Sequence, residues 1–168
     1  GFELGIRHSK INVLHKSNLI LGAGGVVPSI IYSLLSMGCK KIFLSNRTIE
    51  KAENIKKKFK EVEVLKWGKI PDFDMVINAT SVGLKGDSLD LDLNTKDKIF
   101  YDVIYNPKET QFLKKAKENG NRIENGKFMF IYQANQSFSI WNNVIPKIDE
   151  EVLKICLLYT SDAADEMR

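Results

Sequence analysis

The stretch Leu19–Thr48 constrains this chain more than any other. A short apolar run, Leu19-Ile20-Leu21, meets the glycine turn Gly22-Ala23-Gly24-Gly25, and an apolar helical pattern runs from Val26 to Met37. A second apolar run, Ile42-Phe43-Leu44, ends at Ser45-Asn46-Arg47-Thr48. Strand, turn, helix and strand make one βαβ unit, whose strands are parallel and need cover on both faces. Gly22 allows a tight turn, and Gly24 removes a Cβ that would hold the backbone away from a pyrophosphate. The helix N-terminus then supplies unpaired N–H groups and partial positive charge for phosphate. The third glycine of the G-x-G-x-x-G spacing is Val27, so helix and strand are expected to sit slightly further apart.

The rest of the chain repeats the alternation. Phe2 to Ile11 has helical spacing, with Phe2, Ile6 and Ser9 on one side. Pro28 falls in the first turn of the helix after the glycines, and Gly38 closes that helix. Thr48 is placed to cap a helix that runs to about Lys60 with Ala52, Ile55 and Phe59 inward. Strands are expected at Val62–Leu65, Met75–Ile77, Ile99–Val103 and Arg122-Ile123, with helices over Glu109–Asn119, Gly126–Trp141 and Ile148 to about Ile155. Val82–Lys96 is polar and turn-rich and gives no element. The fold class is α/β: a Rossmann-like doubly wound parallel sheet of about six strands with helices on both faces. Residues 18–155 form this domain, and residues 1–17 are a linker helix and its exit.

Composition closes off other classes. With 43% hydrophobic and 27% charged residues in a chain of 168, one domain with a real core is expected. The net charge of +4 is spread along the chain and not gathered in a basic run, which argues against nucleic acid. No apolar run approaches the ~20 residues of a membrane span. Cys39 and Cys156 have no metal spacing, so a cytoplasmic, disulfide-free and metal-free protein is the expectation. Gly1 is not read as a native start. Cys156–Glu166, CLLYTSDAADE, resembles sequencing-adapter read-through, so 156–168 is set aside as a non-native tail.

The end of the second strand bears on which dinucleotide fits. An NAD site usually places Asp or Glu there for the ribose hydroxyls. This chain has Asn46-Arg47-Thr48 and, one turn on, Lys51. Arg47 suits a 2′-phosphate through its planar fork, Thr48 adds a hydroxyl and Lys51 adds charge. A solvated basic residue opening a helix is the plainer alternative. Tyr105 sits at a strand end before Asn106-Pro107, and Gln133 is a carboxamide within the apolar helical run Phe128–Tyr132 and beyond. That pair suits a polyhydroxylated ring acid, since a carboxamide both donates and accepts; a packing tyrosine and an exposed glutamine are the alternative. Phe138 and Trp141 are read as core or domain-contact residues, and His8 and His15 as surface residues without an acid partner.

GAGG, NRT, NATS, DVIYNPKET and NGKFMFIYQANQSFSIW, in this order and spacing, resemble the NADP-binding C-terminal domain of the shikimate dehydrogenase family, from about Gly1 to Ile155. The resemblance implies that Gly22, Ala23, Gly24, Gly25 and Val26 line the pyrophosphate, and that Asn46, Arg47, Thr48 and Lys51 contact the 2′-phosphate. It places Thr80 and Ser81 beside the cofactor, Val103 and Gly126 at the nicotinamide, and Tyr105 and Gln133 at the substrate. It implies NADP(H) as cofactor and reduction of 3-dehydroshikimate to shikimate, on the route to chorismate and the aromatic amino acids. The family's catalytic Lys–Asp pair belongs to an N-terminal substrate domain. The Asp falls in an Asn-Thr-Asp motif just ahead of the stretch aligned with Gly1-Phe2. This chain is therefore expected to lack both catalytic residues and to be inactive alone. Its partners would be that domain and a small-molecule substrate, with a homodimer left open. The rival readings are a quinate/shikimate dehydrogenase using NAD and a non-catalytic dinucleotide-binding module.

Overall fold

The computed structural model describes residues 1–155; Cys156–Glu166, read above as non-native, lies outside them. In chain order the elements are α1 (Phe2–His8), β1 (Ser17–Leu21), α2 (Val27–Ser36), β2 (Lys41–Ser45), α3 (Ile49–Lys56), β3 (Val62–Leu65), β4 (Met75–Asn78), β5 (Ile99–Asp102), α4 (Gln111–Glu118), β6 (Arg122–Glu124) and α5 (Lys127–Asn142). Residues 150–155 are also helical.

The six strands form one parallel sheet in the order β3-β2-β1-β4-β5-β6. Chain progress reverses direction between β1 and β4, which opens a crevice beyond the carboxyl ends of those strands. The register brings the ends level: Leu21 lies opposite Ser45 on one side and Asn78 on the other, and Asn78 lies opposite Asp102.

Successive strand residues serve opposite faces, as a pleated strand requires. Ile20, Ile42, Leu44, Ile77 and Tyr101 join one core with residues of α1, α2, α3 and α5. Leu19, Leu21, Phe43, Val76 and Phe100 join the other with Phe112, Leu113 and Ala116 of α4. That second face has one helix, and the remaining cover is irregular chain, including Phe73, Leu93 and the half-buried Trp67, Ile70, Leu89 and Leu91. The β3–β4 connection contains Pro71, and 82–96 is rich in polar turn residues, so neither builds a helix.

Several boundaries differ from expectation. The first helix stops at His8, and α3 stops at Lys56 where a run to about Lys60 was expected. Thr48 occupies the N-cap position of α3, but its side chain makes no capping hydrogen bond; Asn46 Nδ2 instead donates to the Thr48 carbonyl at 2.7 Å. The fourth helix begins at Gln111, after Glu109, because Thr110 is its cap and accepts from the Leu113 amide. Phe138 and Trp141 are not core: they are 47% and 80% exposed.

The first helix is packed into the domain. Phe2, Gly5 and Ile6 are buried, and Phe2 meets Tyr101 edge-on at 5.3 Å. A Cβ on Gly5 would lie 3.0 Å from the Met129 amide, so α1 and α5 approach closely at that point. His8, exposed at the surface as expected, lies over Phe128 at 3.8 Å, and its Nδ1 is 2.9 Å from the Tyr132 hydroxyl. A histidine with no acid partner here fastens one helix to another.

Candidate functional site

The crevice at the β1/β4 switch point holds a cleft of about 340 Å³. Gly22, Ala23 and Gly24 form its glycine-turn side, Asn46, Arg47 and Lys51 its β2 side, and Ala79, Thr80, Ser81 and Val82 its β4 side, with Trp67 also in its lining.

The glycines have different reasons to be there. Gly22 has φ +106° and its absent Cβ would fall 2.8 Å from the Ala79 carbonyl oxygen, so folding alone demands glycine. Gly24 and Gly25 do not have left-handed backbones, and a Cβ on either would meet nothing within 4 Å. Neither packing nor conformation requires glycine at these two positions. Among the described residues the amides of Gly24, Gly25 and Val26 have no protein acceptor, and they lead directly into the ten-residue α2. A phosphate-bearing ligand that approaches the backbone closely accounts for both facts. Val27 is completely buried in the same core as Ile20 and Ile30, filling the place of the third glycine with an apolar side chain.

At the β2 end, Arg47 and Lys51 are exposed and engage in no salt bridge among the described residues. Among the described residues the cleft lining contains no Asp or Glu. Two unneutralised cations facing a crevice favour an anion there. Thr48 is exposed and outside the cleft lining, while Gly25 and Val26 follow Gly24 at the α2 N-terminus.

A buried polar network holds the β4 side. Asn78 Oδ1 accepts from the Thr80 hydroxyl at 2.7 Å and from the Thr80 amide at 3.1 Å, and Thr80 Oγ1 accepts from the Val82 amide. Asn78 Nδ2 donates to Asp102 Oδ1 at 3.1 Å. Asp102 also accepts from the Ile104 amide at 3.0 Å and from the Thr110 hydroxyl at 2.6 Å. Burial raises the Asp102 pKa above the usual carboxylate value, and the donors from Thr110, Ile104 and Asn78 oppose that rise. The network ties the Thr80 wall to the loop that carries Tyr105. Sequence reading missed Asp102 and Thr110, although both fall inside the DVIYNPKET run.

The other expected residues form a second group at the ends of β5 and α5. Gly126 donates its amide to the Ile104 carbonyl at 3.1 Å, and a Cβ on it would overlap the Val103 carbonyl, so the two chains touch backbone to backbone there. Tyr105 stacks on Phe130 at 4.6 Å. Phe130 and Gln133 line one shallow apolar depression with Ala134, Ser137, Phe138 and Trp141. Phe130 therefore lies between the two residues expected at the substrate. Among the described residues no cluster of His, Cys, Asp and Glu could hold a metal ion, and no helix is long and apolar enough to cross a membrane.

Fold order, glycine turn and cationic crevice define a Rossmann-type α/β domain. Residues 6–84 match the family described as shikimate / quinate 5-dehydrogenase. It is 52% identical over 159 residues to shikimate dehydrogenase (NADP(+)) of Pelagibacter ubique, a match covering 92% of this chain and 60% of that protein. Quinate dehydrogenase from Corynebacterium glutamicum in complex with NAD superposes with a TM-score of 0.82 at 27% identity, covering 95% of this chain and 60% of that one. Shikimate 5-dehydrogenase from Thermus thermophilus, in complex with NADP(H) and shikimate, gives 0.77 at 26% identity, covering 87% and 56%. The chain thus spans about 60% of the length of these relatives.

Proposed function

We propose that this chain is the NADP(H)-binding part of a cytoplasmic NADP-dependent shikimate dehydrogenase that reduces 3-dehydroshikimate to shikimate, toward chorismate and the aromatic amino acids. The observation that carries the cofactor choice is the β2 end of the cleft: among the described residues Arg47 and Lys51 have no carboxylate partner and no acid lines the cleft. An NAD site would place an acid at that point for the ribose hydroxyls. The NAD-bound quinate dehydrogenase among the structural neighbours marks the rival reading, which the missing acid disfavours.

Each residue then has a task. The amides of Gly24, Gly25 and Val26 receive the pyrophosphate, and the bare Cα atoms of the two glycines let it come close. Arg47 engages the 2′-phosphate with its fork, Lys51 adds charge, Asn46 shapes the turn, and Thr48 flanks it. Thr80 and Ser81 border the cofactor from β4. Val103 and Gly126 fix the backbone beside the nicotinamide, which supplies the hydride when bound. Tyr105, seated on Phe130, and Gln133 orient hydroxyl groups of the substrate.

Proton transfer falls to a Lys–Asp pair in the part of the longer protein that its relatives possess and this chain does not span. That part would cover the apolar residues beside Gln133, where Phe138 and Trp141 are 47% and 80% exposed. The test compares the chain alone with the same chain joined to its upstream region. The chain alone should bind NADPH by calorimetry and show no reduction of 3-dehydroshikimate, and the joined protein should turn it over. Turnover by the chain alone, or absence of NADPH binding, contradicts the proposal.

A further inference from the structure

Among the described residues that line the cleft one is aromatic, Trp67, and the cofactor-binding residues named above do not include it. Trp67 lies two residues beyond Leu65, and Leu65 pairs with Ser45, which precedes Asn46-Arg47. The parallel register therefore carries Trp67 and Arg47 off adjacent strand ends at the same level. Both line the cleft, where every other lining side chain is small, polar or cationic except Val82. Trp67 is half-buried: it packs against the core on the Leu65 and Phe73 side of the sheet and still contributes surface to the crevice. Only irregular chain joins β3 to β4, so no helix of that connection screens the indole from the crevice.

A large apolar ring fixed at the rim of a cationic cleft is suited to a flat, weakly polar ligand group. Of the parts of a phosphorylated dinucleotide, the adenine next to the 2′-phosphate has that character, and bases stack on aromatic side chains without need of hydrogen-bond readout. We infer that Trp67 is the adenine-binding wall of this cleft and a determinant of affinity for the adenosine half of the cofactor. This rests on the dinucleotide reading of the cleft and adds the residue that holds its base.

The probe is adenosine 2′,5′-bisphosphate, which carries the base and the 2′-phosphate and lacks nicotinamide. Trp67 and Trp141 are the two tryptophans of the chain, so Trp141→Phe leaves Trp67 as the sole indole emitter. In that background the bisphosphate should shift or quench emission saturably, and nicotinamide mononucleotide should not. Trp67→Ala should weaken bisphosphate binding, read by calorimetry, by roughly tenfold. Trp67→Phe keeps a ring and should retain most of the affinity; it also serves as the folded control should the alanine variant fail to fold. Calorimetric binding of the bisphosphate with silent Trp67 emission and unchanged affinity in Trp67→Phe and Trp67→Ala overturns the inference and leaves the cofactor reading intact. No binding of the bisphosphate or of NADPH to the unsubstituted chain overturns both.

Discussion

Asp102 shows what one residue does in this fold. It is completely buried, and its two oxygens accept from Asn78, Ile104 and Thr110. Asp102→Ala strands three donors and should destabilise the chain by about 3–5 kcal/mol in urea unfolding, the range for an uncompensated buried polar network. Asp102→Asn should be much milder. Its Oδ1 can still accept from Asn78 and Ile104 while its amide donates to the Thr110 oxygen, which has lone pairs to spare. The pH dependence separates the two effects. The folded pKa of Asp102 is raised by burial, so its stabilising contribution is fully present below the unfolded carboxylate value and is lost as pH rises through the folded one. The stability of Asp102→Asn relative to the unsubstituted chain should therefore improve as pH rises over that window; a relative stability that falls would reverse the assignment. None of this was legible in DVIYNPKET, because a strand-end Asp reads as solvent-facing until the register sets Asn78 beside it and Thr110 folds back over it.

At the scale of elements, apolar runs and punctuation carried most of the information. The βαβ unit at Leu19–Thr48 and the strand at 75–77 emerge where short apolar runs end at Gly, Asn or Ser, and the strand at 62–65 where Val62, Val64 and Leu65 precede Lys66. The ends of helices were less legible, since Thr48 sits at a cap position without capping and Thr110 caps unseen. The partial helical cover of one face was also hidden, because a polar turn-rich stretch does not show that Leu89, Leu91 and Leu93 return to the sheet. The glycine turn was legible as a pattern but not as separate causes. Those causes predict opposite outcomes for two alanine substitutions. Gly22→Ala drives a Cβ to within 2.8 Å of the Ala79 carbonyl oxygen at a φ of +106° and should cost roughly 2–3 kcal/mol of stability, as overpacking does. Gly24→Ala places its Cβ in open space and should leave stability unchanged or raise it by about 0.5 kcal/mol, while weakening NADPH binding. Thermal unfolding and calorimetry on both variants check the contrast; a Gly24→Ala variant that unfolds early yet binds NADPH normally would make that glycine structural.

At the scale of the whole molecule, the parallel sheet brings distant sequence into two adjoining groups. One is the cationic cleft of the glycine turn, the β2 end and the Thr80 loop; the other is Tyr105 and Gln133 on either side of Phe130. Asn78 and Asp102 join them through one hydrogen bond across β4 and β5. The chain spans about 60% of the length of its relatives, and on the proposed reading these two groups are the cofactor side of a longer enzyme. The central claim is that the cleft reads a 2′-phosphate through Arg47. Calorimetric titration of NADPH and NADH into the unsubstituted chain and into Arg47→Ala tests it most directly. NADPH should bind the unsubstituted chain more tightly than NADH, and Arg47→Ala should lose ~1.5–3 kcal/mol of NADPH affinity, the worth of a charged hydrogen bond, with NADH barely affected. Tighter binding of NADH to the unsubstituted chain, or equal losses for both nucleotides, would contradict it.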